Sequence, residues 1–178
     1  MSASPAAARK LYEHIRDVPD FPKPGILFKD ITPLLQDPAA LRSACELLAA
    51  PFAGRGVELV VGIESRGFIF GPPVALALGA GFGLARKQGK LPWQTRRESY
   101  ALEYGQAEIE MHADTVRRGQ QVLVIDDVIA TGGTAAATTR LVRALGGEVV
   151  GATFLIELAF LEGRKALDGL PVEAVLRF

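Results

Sequence analysis

The segment from Val122 to Thr134 constrains this chain most, because it joins an apolar run to a loop that suits an anion. It reads Val-Leu-Val-Ile-Asp-Asp-Val-Ile-Ala-Thr-Gly-Gly-Thr, so the apolar run leads directly into two adjacent acids. Continuous apolar runs of this length are typical of parallel strands that are buried on both faces. Open α/β sheets bind ligands at the carboxyl ends of such strands, so the segment predicts a ligand site at one edge of a sheet.

The residues after this apolar run indicate what the site holds. Asp126 and Asp127 are adjacent acceptors suited to sugar hydroxyls, and a helix beginning at Ala135 would offer unpaired N–H groups to a phosphate. Between them lie small residues that permit close backbone approach or add hydroxyl donors: Ala130, Thr131, Gly132, Gly133 and Thr134. A plain strand–turn–helix junction seldom carries two acids at the end of an apolar strand, because uncompensated charge is costly there. We therefore interpret the segment as a ribose 5-phosphate site.

The rest of the chain alternates strand-like and helix-like segments. Apolar runs predict strands, which span Glu58 to Ile63, Phe82 to Ala85, Gln121 to Ile125, Val149 to Leu158 and Val172 to Phe178. Helices are predicted at Lys10 to Asp17, from Asp37-Pro38 onward, at Gly71 to Leu78 and at Ala135 to Leu145. This order predicts an α/β fold with an open, mainly parallel central sheet flanked by helices. The length of 178 residues suits a single domain.

Two segments interrupt the alternation. Pro19 to Pro33 contains four prolines and one glycine, which predicts an extended, turning stretch. Lys87 to Met111 is polar, and Tyr100 to Glu103 can pair with Ala107 to Met111 as a hairpin across Gly105. A long irregular segment inside a compact domain is usually a lid or a binding loop, with disorder as the alternative.

Composition argues against several classes of protein. Lys plus Arg and Asp plus Glu both number 20, so the basic excess of a typical nucleic-acid binder is missing. No apolar run approaches the ~18 residues of a membrane span, and the first residues lack a signal-peptide pattern, so we expect a cytoplasmic protein. His14 and His112 lie far apart without other ligands at metal-binding spacing, and Cys45 sits in an apolar, helix-like run typical of the core.

The segment from Val122 to Thr134 resembles the phosphoribosyl-diphosphate signature of the type I phosphoribosyltransferases. The resemblance implies that Asp126 and Asp127 hold the 2′ and 3′ hydroxyls of the ribose, and that Ala130 to Thr134 hold the 5-phosphate. Glu64-Ser65-Arg66-Gly67 resembles the pyrophosphate loop of the same family, with a cis peptide expected between Glu64 and Ser65. An ordinary surface turn with a solvated arginine is the alternative for this second loop.

Arg86-Lys87-Gln88-Gly89-Lys90-Leu91-Pro92 resembles the adenine-specific branch of the family. Arg86, Lys87 and Lys90 would attract a diphosphate, together with the forked donor Arg66, although runs of charge usually coat a solvated face. The resemblance also implies Mg²⁺ held mainly through substrate oxygens with no direct protein ligand, and a homodimer whose partner subunit supplies some of these cations.

Two other segments resemble the same branch. Asp20 to Ile31 is similar to its N-terminal hood, which would place a helix and a base-binding hood in residues 1–34, and Ser99 to Gly105 is similar to its mobile loop, within residues 87–111. For the hood, the resemblance implies a stack of adenine on Phe28; core packing of Phe28 is the alternative. The remaining adenine contacts would come from Val128 and from the backbones of Leu27 and Lys29.

Many relatives have arginine at position 29, and the lysine found here would matter only if a guanidinium is needed. Glu103 is the implied acid or base at the purine, and Tyr104 would help to cover the site. The implied reaction converts adenine and phosphoribosyl diphosphate to AMP and diphosphate. The alternatives are another purine base, a regulatory protein that senses phosphoribosyl diphosphate or a purine, and diphosphate synthesis from ribose phosphate and ATP, whose enzymes are longer.

Overall fold

The computed structural model of the chain describes residues 5–101, 106–167 and 169–178. Its α-helices are α1 (Pro5–Leu11), α2 (Thr32–Gln36), α3 (Pro38–Ala49), α4 (Gly67–Leu78) and α5 (Gly133–Ala144). Its strands are β1 (Arg16–Pro19), β2 (Leu27–Asp30), β3 (Leu59–Ile63), β4 (Gly81–Lys87), β5 (Thr95–Ala101), β6 (Gln106–His112), β7 (Gln121–Ile129), β8 (Glu148–Glu157) and β9 (Val172–Arg177). Short 3₁₀ helices span Tyr12–His14, Ala50–Phe52, Ala159–Leu161 and Gly163–Leu167.

A seven-stranded sheet in the order β5-β6-β4-β3-β7-β8-β9 forms the centre of the molecule. From β4 to β9 every neighbouring pair is parallel, whereas β6 joins β4 and β5 in antiparallel fashion. A separate two-stranded sheet, β1 with β2, forms the hood. The predicted open, mainly parallel α/β sheet is therefore confirmed.

Helices cover both faces of the sheet, because successive residues of each central strand point to opposite sides. Along β7, Val122 and Val124 pack into the core beside α5, whereas Leu123 and Ile125 pack into the core beside α3 and α4. All four side chains are fully buried, which explains why the sequence of this strand shows no polar alternation.

The start of α3 follows the predicted capping pattern. The Asp37 side chain accepts a hydrogen bond from the N–H of Ala40 at 2.7 Å, and Pro38 occupies the first helical position. Farther along the chain, α4 packs closely on β4 because Gly71 lies against the ring of Phe82, where a Cβ atom would collide. This packing fixes the loop that precedes α4 at the edge of the sheet.

Two sequence predictions were wrong in extent. The helix predicted over Lys10 to Asp17 ends at Leu11, and after one 3₁₀ turn the chain enters β1 at Arg16, because pairing with strand β2 outweighs local helix propensity. Most of the segment from Lys87 to Met111 is regular strand, since β5 and β6 pair from Thr95↔His112 to Ala101↔Gln106. The predicted hairpin exists and is longer than expected. The part of the chain that the structure describes contains no helix that could span a membrane.

Candidate active site

The candidate site lies where three neighbouring parallel strands end. Ile63 of β3 is paired with Ala85 of β4, and Gly62 is paired with Ile125 of β7, so the three strands reach the same edge in register. The three segments singled out from the sequence continue from these positions, beginning at Glu64, Arg86 and Asp126. Parallel pairing therefore brings together motifs that lie up to about sixty residues apart in the chain.

The two acids lie within strand β7, which continues to Ile129, and not after it as the sequence suggested. Asp127 is 2% exposed and Asp126 is partly buried. Burial raises the pKa of both carboxyl groups, and for Asp126 the nearby charge of Asp127 raises it further, well above the ordinary value of 3.8. The N–H of Asp127 donates to Oδ1 of Asp126 at 2.8 Å. The pair is thus a concentrated site of negative charge that a cation or a hydroxyl-bearing ligand would stabilise.

Arg66 lies between the acid pair and the hood. Its Nε atom is 2.7 Å from Oδ2 of Asp127, and its guanidinium is 5.4 Å from the centre of the Phe28 ring. This buried oxygen therefore has an ion-pair partner but accepts no hydrogen bond from the described residues. Buried acceptors are normally hydrogen-bonded, so the carboxylate can accept a bond from a ligand.

The Glu64-Ser65-Arg66-Gly67 loop approaches the acid pair closely. The Glu64–Ser65 peptide is cis, as the resemblance implied. At Gly67 a Cβ atom would stand 2.7 Å from the carbonyl oxygen of Ile125 and 3.1 Å from Oδ1 of Asp126, so only glycine permits this approach.

The predicted phosphate loop encloses a small pocket. A pocket of about 100 Å³ is lined by Asp126, residues 128–135 and Phe154. Gly132 has φ +79° and precedes α5, whose first turn has no side-chain cap, so its N–H groups are available to an anion. All five residues predicted for the 5-phosphate, Ala130 to Thr134, line this pocket.

Glu64 acts on the neighbouring cations. It accepts from Nη2 of Arg86 at 2.8 Å and from the N–H of Lys87 at 2.9 Å. The hydrogen bond from Arg86 lowers the pKa of Glu64 below its ordinary value. Arg86 and Lys87 belong to β4 itself, where the sequence had placed them after the strand. The ammonium groups of Lys87 and Lys90 form no ion pair with any residue that the structure describes, so both remain available to an anion.

Glu110 was missed from the sequence. Although it is a charged residue, it is only 1% exposed, and Oε1 accepts from the N–H groups of Lys90 and Leu91, each at 3.1 Å. Arg97 Nε lies 3.3 Å from its Oε2 atom. Burial alone would raise the pKa of Glu110, but the two backbone N–H groups, with Thr95 and Arg97, lower it. Nothing in the sequence of β6 distinguishes Glu110 from Glu108, because this role depends on contacts with another loop.

The hood brings an aromatic ring to the site. The ring of Phe28 packs edge-on against Phe21, with the ring centres 5.1 Å apart. Adjacent residues of a strand point to opposite sides, and the Nζ atom of Lys29 is directed to Asp17, at 2.6 Å, and to the face of Phe178, at 4.2 Å. Lys29 can therefore contact a ligand beside Phe28 only through its backbone. Leu27 is half exposed in the same strand, and Val128 lies in the phosphate-loop pocket.

The predicted residues Glu103 and Tyr104 lie outside the described part of the chain. Strand β5 is tied to α5, because Arg140 Nε donates to Oε1 of Glu98 at 2.6 Å and Nη2 donates to the carbonyl oxygen of Ser99 at 3.2 Å. Among the described residues there is no group of three or more His, Cys, Asp or Glu side chains that could hold a metal ion. The adjacent carboxylates of Asp126 and Asp127 could therefore only assist a metal ion that is held mainly by the oxygens of a ligand.

Fold and site together define a phosphoribosyltransferase. The family described as "Phosphoribosyl transferase domain" matches residues 33–173. The chain belongs to this family, and within it to the adenine phosphoribosyltransferases. It is 55% identical to adenine phosphoribosyltransferase of Sorangium cellulosum over 97% of this chain and 88% of the relative, and 56% identical to that of Thermobifida fusca over 91% and 92%.

Solved structures of the same family agree with the fold. The adenine phosphoribosyltransferase of Rhodothermus marinus is 57% identical, with a TM-score of 0.94 over 98% of this chain and 100% of that one. The enzyme of Saccharomyces cerevisiae, complexed with D-2,5-dideoxy-2,5-imino-altritol 1,6-bisphosphate and adenine, is 38% identical, with a TM-score of 0.90 over 96% and 98%.

Proposed function

We propose that this chain transfers the 5-phosphoribosyl group of phosphoribosyl diphosphate to adenine in purine salvage, with AMP and diphosphate as products. One observation carries the proposal: Arg66 contacts Asp127 of the acid pair and the ring of Phe28 in the hood. The ribose-binding half of the site and the aromatic surface for a base therefore adjoin. The likeness to adenine phosphoribosyltransferases over nearly the whole chain supports adenine as the base.

The phosphoribosyl donor would lie along the edge of the sheet. Its 5-phosphate would accept from the N–H groups of Ala130 to Thr134 at the start of α5. Its 2′ and 3′ hydroxyls would donate to Asp126 and Asp127. Oδ2 of Asp127 accepts no hydrogen bond from the described residues and so could accept one from a hydroxyl. Each contact fixes one end of the ribose, so C1′ faces the hood. Such positioning lowers the barrier of a reaction between two bound molecules.

The diphosphate would leave towards the cations. Bond breaking at C1′ gathers negative charge on the diphosphate and positive charge on the ribose, so fixed cations near the leaving group stabilise the transition state. The groups proposed for this are the Ser65 and Gly67 backbones and the side chains of Arg66, Arg86, Lys87 and Lys90. Glu64 orients Arg86 by accepting its hydrogen bond. Because the Glu64 carboxylate is occupied in this way, its own contact with the diphosphate would be through the backbone. Mg²⁺, held mainly through diphosphate and ribose oxygens, would neutralise part of the leaving-group charge when bound.

The base would lie between Phe28 and Val128. Phe28 offers a flat apolar face, and the backbone groups of Leu27 and Lys29 can pair with the purine edge. Glu103 is the proposed acid or base at the purine, and Tyr104 would help to exclude water. We further propose a cytoplasmic homodimer in which some diphosphate-binding cations reach the partner's site.

A panel of bases tests the proposal. The protein is supplied with Mg²⁺, phosphoribosyl diphosphate and one of adenine, hypoxanthine, guanine or xanthine, and nucleotide formation is followed by chromatography. AMP from adenine, with no comparable product from the other bases, is the expected result. Product from another purine only would assign a different base. Binding of phosphoribosyl diphosphate without any product would favour a sensing protein.

A further inference from the structure

An ion pair outside the proposed substrate contacts, between a buried glutamate and a partly exposed arginine, joins the last residue of β8 to the 3₁₀ helix Gly163–Leu167. Glu157 is 3% exposed, and both of its carboxylate oxygens accept from Arg164, Oε1 from Nε at 2.8 Å and Oε2 from Nη2 at 2.9 Å. A third Arg164 N–H group donates to the carbonyl oxygen of Val172. The hydrogen bonds from Arg164 hold the pKa of Glu157 below its ordinary value. This two-point geometry fixes the direction of the arginine as well as its distance.

The segment that Arg164 anchors lies directly behind the phosphate loop. A Cβ atom on Gly163 would collide with the carbonyl oxygen of Ala130 and lie 2.9 Å from Cγ1 of Ile129. A Cβ atom on Gly132 would collide with the carbonyl oxygen of Gly163 and lie 2.9 Å from Cβ of Ala166. Loop and segment thus touch backbone to backbone at two points, so a shift of one displaces the other.

The anchor itself is attached to the strand that enters the loop. Glu157 is paired with Ile129, the residue before Ala130, and the N–H of Leu158 donates to the carbonyl oxygen of Ile129 at 3.0 Å. Glu157 therefore holds a fixed place relative to the start of the loop. Through Arg164, it sets the place of the segment that supports the other side of the loop.

We propose that Glu157 and Arg164 are positioning residues that hold the phosphate loop, residues 130–134, in the conformation that binds the 5-phosphate. The loop needs such support because its small side chains provide little packing of their own and no side chain caps α5. Neither Glu157 nor Arg164 lines the pocket that the phosphate would occupy. The proposal rests on the proposed function, which assigns that pocket to the 5-phosphate.

The test measures the binding of the two ends of the phosphoribosyl donor separately, with ribose 5-phosphate and diphosphate as the ligands. Arg164→Met keeps most of the side-chain volume and removes the hydrogen bonds, and the matched control is Lys165→Met, which removes an exposed ion pair to Glu162 in the same segment. Binding of ribose 5-phosphate and of diphosphate to the full chain is measured by calorimetry. We expect Arg164→Met to weaken ribose 5-phosphate binding about tenfold or more, because small displacements of binding groups carry losses of this order. Diphosphate binding and the KM for adenine should stay unchanged.

Two further variants keep the test decisive if Arg164→Met does not fold. Arg164→Lys retains a cation without the two-point geometry and should lose less ribose 5-phosphate affinity than Arg164→Met. Gly163→Ala retains the ion pair but presses on Ala130, and should show the same selective loss. Unchanged affinity, or equal losses for both ligands, would overturn the proposal. Failure of the unaltered protein to bind ribose 5-phosphate would instead overturn the assignment of the pocket, and thus the proposed function.

Discussion

Arg66 and Asp127 lie in contact across the candidate site, with 2.7 Å between Nε and Oδ2. Arg66 lies in the turn before α4 and Asp127 lies in β7, 61 positions apart in the chain, and Asp127 is buried whereas the Arg66 side chain is 38% exposed. In the absence of a ligand, Arg66 is the cation nearest to this buried carboxylate. A ligand that brings hydroxyls to the acids and a diphosphate to Arg66 would engage both residues at once, which links the binding of the two ends of the donor.

Replacement of Arg66 by lysine tests this link. Lysine retains the charge but loses the planar fork that can bond two diphosphate oxygens and lie over the Phe28 ring. We expect kcat/KM for phosphoribosyl diphosphate to fall by about 10- to 100-fold, which corresponds to about 1.4–2.7 kcal/mol of transition-state stabilisation. The control is Arg55→Lys, whose guanidinium lies over Phe52 in another part of the molecule. Equal kinetics for Arg66→Lys and the unaltered protein would contradict the assignment.

Replacement of Asp126 by asparagine should stabilise the protein and abolish activity. The pKa of Asp126 is raised, so between 3.8 and its folded value the folded state holds a proton that the unfolded state has lost, and unfolding becomes easier as the pH rises. Asparagine removes this penalty. We expect a higher Tm at pH 7, by about 2–4 °C per kcal/mol gained.

The gain in Tm should shrink as the pH falls below the ordinary value of 3.8, because Asp126 is then protonated in both states. Asp114, which is exposed, supplies the control variant Asp114→Asn, which should leave the Tm at pH 7 nearly unchanged because surface substitutions have small effects. Calorimetry at several pH values measures the difference. A lower Tm of Asp126→Asn at pH 7 would show that the carboxylate is not strained in the free protein.

Glu110 should support both stability and substrate binding. Glu110→Gln keeps the shape of the side chain but weakens the bonds to Lys90, Leu91 and Arg97, at an expected loss of about 1–2 kcal/mol in the free energy of unfolding. Because the pKa of Glu110 is lowered, its contribution is present above its ordinary value of 4.5 and is lost as the pH falls through the folded value. The two proteins should therefore converge in urea titrations at low pH.

The same variant should raise the KM for phosphoribosyl diphosphate. The hydrogen bond from the Lys90 N–H to Glu110 fixes the backbone of Lys90, and a weaker bond would leave the ammonium group less well positioned for the diphosphate. The matched control is Glu108→Gln, two positions earlier in β6, where the carboxylate bonds only to the Ser99 hydroxyl among the described residues. Similar effects of the two substitutions would remove Glu110 from this role.

Phe28 should determine the affinity for the base. Stacking of a base on an aromatic ring is worth about 1–3 kcal/mol, so Phe28→Ala should raise the KM for adenine by about 5- to 150-fold and leave the KM for phosphoribosyl diphosphate nearly unchanged. Phe160→Ala, at a ring that is 75% exposed, is the control.

Lys29→Arg should leave base selectivity unchanged, because the ammonium is directed to Asp17 and Phe178.

Glu103 remains a prediction from the sequence. If it is the acid or base at the purine, Glu103→Gln should lower kcat by about 10²- to 10⁴-fold while phosphoribosyl diphosphate still binds. Rapid-quench measurement of AMP formation, with calorimetry for binding, checks both parts. Glu98→Gln in the same hairpin, which loses the ion pair to Arg140, is the control for damage to the hairpin. Unchanged turnover would remove Glu103 from the mechanism.

The sequence by itself determined the fold class and the main motifs. Continuous apolar runs can be buried only between two layers of helices, so they indicated the parallel sheet before any contact was known. Adjacent acids and small residues at the end of such a run indicated the phosphate loop. A phosphate is bound there by backbone N–H groups of consecutive residues, so the signal is contained in one short segment of sequence. The same local logic marked the start of α3 at Asp37-Pro38.

Only the tertiary structure decided how the motifs meet. The register of β3 against β4 and β7 places Arg66 beside Asp127, and strand pairing in the hood directs Lys29 away from Phe28. The burial of Glu110 and the support of the phosphate loop by Glu157 and Arg164 also depend on residues distant in the chain. A carboxylate at the surface and one inside the protein have the same letter in a sequence. What separates them is the desolvation and the bonding partners that long-range packing supplies.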